Sequence, residues 1–126
     1  MLTISKMFTL EAAHFLPNHE GKCKHLHGHA YKIEITLIGK KQDRGPAQGM
    51  ILDFGKLKQL VNMFIIDELD HKLLNGIPGL ENPTAENMVE WIFDVLMSKS
   101  ELMRTHLFRV KVWETEGACA IFEREG

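Results

Sequence analysis

From Thr3 to Phe15 the even positions Ile4, Lys6, Phe8, Leu10, Ala12 and His14 form one mostly apolar face. An alternation of period two marks a half-buried strand, because successive side chains of an extended chain point to opposite faces. From His29 to Gly39 the odd positions His29, Tyr31, Ile33, Ile35 and Leu37 alternate with Ala30, Lys32, Glu34 and Thr36. This predicts a second strand, with His27 and His29 in phase with its apolar face. Leu107 to Thr115 alternates again, Phe108, Val110, Val112 and Glu114 standing against Arg109, Lys111 and Trp113. A short last strand, Ala118 to Glu123, follows a turn at Glu116-Gly117.

Between the second and third strands the period lengthens. After Asp53, a residue suited to an N-cap, Leu57, Leu60, Val61, Phe64 and Ile65 share one helical face. A second helix is predicted from Pro83-Thr84, with Glu86 in its first turn and Met88, Val89, Ile92 and Leu96 facing inward. Gly39 to Gly49, with Lys40, Lys41, Asp43, Arg44 and Pro46, reads as an exposed loop. The order is β-β-α-α-β-β: an α+β fold in which two helices cover one face of an antiparallel sheet. Without a repeat, low-complexity tract or linker, residues 1–126 are expected to form one domain.

Composition narrows the partners. Fifteen basic residues against seventeen acidic leave no electrostatic footprint for nucleic acid or a membrane surface. No stretch approaches transmembrane length, and Met1 to Phe8 lacks the apolar run of a signal peptide. The two cysteines lie far apart, and Cys23 stands beside histidines, not in a disulfide pattern. A reducing cytoplasm is expected.

The chemistry concentrates in Cys23-Lys24-His25-Leu26-His27-Gly28-His29. Residues i and i+2 of a strand lie on one face, about 6.5 Å apart, so His27 and His29 can converge on one ion, and Gly28 permits close approach. His14 falls on the apolar phase of the strand expected to pair with theirs. Three histidines there need a partner, and a three-histidine zinc site keeps one position open, as catalytic sites do. The plain alternative is a set of hydrogen-bonded or surface histidines, and His25 is excluded only if the strand register already holds there. Cys23 is either a fourth ligand or, with a thiol pKa lowered by nearby cations, a base. Asp70-His71 reads as a solvated pair or as a proton relay whose tautomer Asp70 fixes. Glu114 continues the Val110 and Val112 face, where a carboxylate is out of place unless paired. It either reaches water at the strand end or accepts two N–H donors of a ligand. Asp53 and Thr84 are by default helix caps, and Trp91 and the methionines core.

Taken together, FTLEAAHFLP (Phe8 to Pro17), CKHLHGH (Cys23 to His29), MILDFGKLK (Met50 to Lys58), LDHKLLN (Leu69 to Asn75), NPTAEN (Asn82 to Asn87) and VWETEGACA (Val112 to Ala120) resemble the 6-pyruvoyl-tetrahydropterin synthase superfamily. The resemblance is strongest to its bacterial 6-carboxy-tetrahydropterin synthase branch, for Cys23 is followed by three residues and then His27-Gly28-His29. Animal pyruvoyl-forming members of the family have a longer spacer between the cysteine and the His-Gly-His, and a folate-pathway branch has glutamate in place of the cysteine.

The resemblance implies the tunnelling fold and a homohexamer of two stacked trimers with active sites at subunit interfaces. It implies Zn²⁺ on His14, His27 and His29, Cys23 as base, and His71 with Asp70 as relay. Glu114 is the implied pterin anchor, and Thr84 joins it as a candidate substrate contact. The implied activity is a zinc-dependent lyase reaction of the queuosine pathway, converting 7,8-dihydroneopterin triphosphate to 6-carboxy-5,6,7,8-tetrahydropterin, acetaldehyde and triphosphate. Two other readings stand beside it: a pyruvoyl-forming synthase that eliminates triphosphate alone, and a non-catalytic zinc- or pterin-binding protein. No residue is identified for the triphosphate; Lys22, Lys24 and Lys32 are near only in sequence.

Overall fold

The computed structural model describes residues 1–22 and 25–125. Strands β1 (Thr3–His14) and β2 (His27–Ile38) are followed by helices α1 (Phe54–Val61), α2 (Asp67–Leu69), α3 (Ala85–Lys99) and α4 (Glu101–His106), then strands β3 (Leu107–Thr115) and β4 (Ala118–Glu123). The strands form one antiparallel sheet in the order β1-β2-β3-β4. The α+β class and the sheet-and-helix layering are those the hydrophobic pattern predicts.

One face of the sheet makes the core. Phe8, Leu10, Tyr31, Ile33, Ile35, Val110 and Val112 are buried under Leu57, Val61, Ile65, Met88, Ile92 and Leu96. Helix α3 lies across β3 and β4. Side-chain caps fix two helix starts: Asp53 accepts from Gly55 N–H at 2.6 Å, and Thr84 from Asn87 N–H at 3.0 Å. Each satisfies a donor that the first turn leaves without a helical partner.

Several local features depart from the pattern. Strand β2 begins at His27, two residues before the predicted start, because pairing with β1 runs to the His14–His27 pair. The first helix is interrupted by a π-helical turn, Asn62–Ile66, before it resumes as α2. Helix α4 was not legible as a separate element. It starts because the Ser100 hydroxyl accepts from Met103 N–H at 3.2 Å while the Ser100 N–H still closes α3 on Leu96. The methionines divide: Met88 and Met103 are buried, but Met1, Met7, Met50 and Met63 are exposed, correcting the expectation of a uniform core role. Met7 has the odd parity that turns it to the uncovered sheet face. Trp91 is half-buried, its indole N–H donating to the Pro78 carbonyl at 3.0 Å.

The end of β1 is held by the segment after α2. His71 N–H donates to Glu11 O at 2.6 Å and Ala13 N–H to Lys72 O at 3.1 Å. Asn75 presents its amide to the backbone of Phe15, accepting at 3.0 Å and donating at 2.8 Å. An amide side chain thereby replaces a neighbouring strand where β1 ends.

Candidate metal centre and ligand pocket

Register brings the three histidines together. His14 sits opposite His27 on paired strands, and His29, opposite Ala12, lies two residues along the same face. Their ring centroids are 4.5–5.0 Å apart. One nitrogen from each falls within 4.8 Å of the others, an arrangement that could hold a metal ion.

Neighbouring groups set which nitrogens are free. The His25 carbonyl can only accept, so the 2.6 Å contact puts a proton on His27 Nδ1 and leaves Nε2 with its lone pair. His14 Nδ1 is hydrogen-bonded to the buried Tyr31 hydroxyl. With the Tyr31 oxygen as acceptor, His14 Nε2 is likewise left to ligate, the second-shell logic by which a ring is turned to its ion. Burial, aided by His27 and His29, lowers the His14 pKa to about 4, so at neutral pH it is the uncharged imidazole a metal needs. Burial also raises the Tyr31 pKa, with the Glu114 charge adding to the effect, so its hydroxyl stays protonated.

The donor set fits a cation. Nε2 of His14 and of His29 are buried without a hydrogen-bond partner among the described residues. Leaving such groups unmatched costs roughly 1–3 kcal/mol each, so an ion among them removes a penalty that the fold otherwise carries. Glu114 approaches the same point. Its Oε1 lies 3.3 Å from His14 Nε2 and 3.9 Å from His29 Nε2. The side chain, 29 % exposed, also borders a cavity of about 370 Å³ with Ala85, Glu86, Thr115, Cys119 and Ala120.

Thr84 is the residue before this cavity's Ala85. Its oxygen accepts the cap bond from Asn87, leaving the hydroxyl proton free for a further acceptor.

His71 is placed differently. Its ring is 74 % exposed, with Nδ1 3.0 Å from Asp70 Oδ2 and Nε2 3.7 Å from Glu11 Oε2. The backbone adopts φ +60, a left-handed conformation uncommon outside glycine and a frequent companion of function. Asp70 Oδ1 accepts from Glu11 N–H at 2.9 Å; that bond, then the contact with His71, lowers the Asp70 pKa. Asp70 thus both anchors β1 and orients the His71 ring. His71 and His29 line one cavity of about 520 Å³ with Glu11, Ala13 and Leu73, but His71 pairs with acids and not with the histidine cluster. Cys23 lies outside the described residues.

Tyr31 escaped the sequence reading because it continues the apolar series of β2. Its signal was available: His27, His29 and Tyr31 share one parity, and a buried phenol needs a hydrogen-bond partner.

The sequence model of the family described as 6-pyruvoyl tetrahydropterin synthase matches residues 3–125. The chain belongs to this family. A Synechocystis protein named 6-carboxy-5,6,7,8-tetrahydropterin synthase is 43 % identical over 94 residues, covering 74 % of this chain and 73 % of its own. A Haemophilus influenzae protein of the same name is 31 % identical, with 91 % and 94 % covered. The solved Caenorhabditis elegans 6-pyruvoyl tetrahydropterin synthase superimposes with a TM-score of 0.86 at 25 % identity, covering 98 % of this chain and 96 % of that one. The fold is the tunnelling fold of this family, and its named members are enzymes. No helix among the described residues is long and apolar enough to cross a membrane.

Proposed function

We propose that this family member is a zinc-dependent 6-carboxytetrahydropterin synthase. The proposed reaction consumes 7,8-dihydroneopterin triphosphate and water and releases 6-carboxy-5,6,7,8-tetrahydropterin, acetaldehyde and triphosphate, within the queuosine pathway and in the cytoplasm. The observation that carries the reading is the juxtaposition of three convergent histidines with Glu114, whose carboxylate borders both the histidine nitrogens and a ligand-sized cavity. Names of the relatives from Synechocystis and Haemophilus influenzae supply the reaction class.

In this reading His14, His27 and His29 hold Zn²⁺, which when bound supplies the Lewis acidity that acidifies the substrate's side-chain hydroxyls. Glu114 accepts the N–H donors along the pterin's amino and amide edge and fixes the ring beside the histidines. The cavity at Glu114 is of the order that ligand pockets occupy, about 300–1,000 Å³. The Thr84 hydroxyl, free to donate, adds a polar contact at its rim. Cys23, as thiolate, moves a proton at the side-chain carbon next to the ring, and His71, oriented by Asp70, takes that proton onward.

His71 is well exposed beside β1, at a sheet edge, which supports a relay completed by a second copy of the chain. The assembly is a homohexamer of two stacked trimers with sites shared between neighbours.

The decisive test is incubation of the zinc-loaded protein with 7,8-dihydroneopterin triphosphate, with mass spectrometry of the products. Carboxy-tetrahydropterin with equimolar acetaldehyde is expected. A pyruvoyl product without acetaldehyde assigns the other branch, the one to which the Caenorhabditis elegans neighbour belongs by name. No turnover leaves a binding protein.

A further inference from the structure

Glu11 is tied to the Asp70-His71 pair by three contacts. Its N–H donates to Asp70 Oδ1 at 2.9 Å, and its carbonyl accepts from His71 N–H at 2.6 Å. Its carboxylate then returns to the ring, Oε2 standing 3.7 Å from His71 Nε2. Any residue but proline would supply the two backbone contacts. Only the third depends on a side chain, and it meets the ring nitrogen that Asp70 leaves open. The following residues run on beside β1, Ala13 N–H donating to Lys72 O at 3.1 Å and Ala13 bridging to Leu73. The Glu11 side chain thus leaves a backbone already fixed against His71, which reduces the ordering cost that weakens most surface ion pairs. A charge on an edge strand ordinarily serves to discourage pairing with other chains. That role sets no direction for the carboxylate, whereas Glu11 and His71 line one cavity of about 520 Å³.

We propose that Glu11 is a positioning residue of the proton path, holding the His71 ring in place and stabilising it once it has taken up a proton. The proposal rests on the relay reading of His71 above and adds a residue that lies outside the Asp70-His71 motif. The two carboxylates divide the ring between them. Asp70 Oδ2, 3.0 Å from Nδ1, is within hydrogen-bond range and keeps a proton on that nitrogen. Glu11 Oε2, at 3.7 Å, is beyond that range, so Nε2 keeps its lone pair for an incoming proton. When the proton arrives, the imidazolium has a negative charge on each side. The carboxylate of Glu11 stays ionised throughout: the proton enters and leaves at Nε2, and no bond to Glu11 forms or breaks. Its effect falls on the charged form of the ring, so it acts on turnover and not on substrate binding.

Glu11→Gln provides the test, because it keeps the side chain's size and both backbone contacts and removes only the charge. In full-length protein carrying ¹⁵N-labelled histidine, the ring nitrogen signals of His71 should move in this variant, while those of His106 stay in place. With 7,8-dihydroneopterin triphosphate as substrate, kcat should fall by about 2–5-fold, the worth of an exposed ion pair, with the Michaelis constant unchanged. Glu11→Asp, which retains the charge, should recover part of that loss. In a His71→Ala background Glu11→Gln should have no further effect on turnover, since the group it acts through is gone. Unmoved His71 signals, or the same loss with and without His71, would overturn the proposal while leaving the Asp70-His71 relay intact. A wild-type protein without turnover would overturn the relay reading itself and the role of Glu11 with it, a result seen before any substitution is made.

Discussion

At the scale of single residues, the proposed metal centre depends on groups that point histidine nitrogens as much as on the histidines. Tyr31→Phe removes only the hydroxyl that holds His14 Nδ1. It should lower zinc affinity by about 10–100-fold with the fold retained, measured by chelator competition and circular dichroism. Glu114→Gln replaces an acceptor with a group that also presents a donor, setting N–H against N–H. Pterin binding should weaken by about 2–3 kcal/mol, read by titration, and thermal stability should hardly move. For the proton path, Cys23→Ala should keep zinc and pterin but lose about 10²–10⁴-fold in turnover. His71→Ala should resemble it, and the double variant should be little worse than either single one, as expected of groups acting on one proton. Additive losses, or zinc missing from Cys23→Ala, would show that the thiol has a different job. His14, His27, His29 and Glu114 stood out in the sequence because they are polar side chains in apolar phase, and the structure brings them together. Tyr31 did not, since a phenol passes for an apolar residue until its neighbour is known.

Elements place these residues. The His14–His27 pair exists because β1 and β2 pair without a slip along their whole length, and one residue of slip would turn the histidines to opposite faces. The strand end is latched by Asp70, which accepts from the Glu11 backbone. The pKa of Asp70 is lowered in the folded chain, so its contribution to stability is complete above the ordinary aspartate value. It is lost as pH falls through the depressed folded value, because the unfolded chain binds the proton more readily. Asp70→Asn should therefore be less stable than wild type near neutrality, and the difference should shrink below about pH 4, measured by urea denaturation across pH. Thr84→Ala should cost about 1 kcal/mol through loss of the α3 cap, a change in melting temperature that appears without any ligand. If Thr84 also contacts substrate, the Michaelis constant should rise as well. The helices were legible from their caps and buried faces, while the π turn Asn62–Ile66 was not. Such a turn inserts a residue without altering composition, and Phe64 and Ile65 keep the inward placement expected of an unbroken helix.

At the scale of the whole molecule, β1 and β4 are the edge strands of the sheet, β1 being paired on its outer side only near Glu11 and Ala13, and the uncovered face carries the exposed apolar side chains of Met7 and Ile121. Edge strands with unpaired backbone groups invite pairing with another chain. The expected outcome of sedimentation velocity is a mass of six chains, and a monomer at micromolar concentration would contradict the proposed shared sites. The sequence by itself determined the α+β order, the four strands, the two long helices, the three convergent histidines and the family, because alternation, caps and ordered motifs are local properties of the chain. Only the tertiary structure decided that Tyr31 secures His14, that Glu114 reaches the histidine nitrogens, and that Asp70 spends one oxygen on the backbone of β1. It also decided that His71 stands apart from the histidine cluster, on acids of its own surface. Those are relations between residues up to a hundred positions apart. They depend on strand register and on which way each side chain turns, and no periodicity within a segment records either.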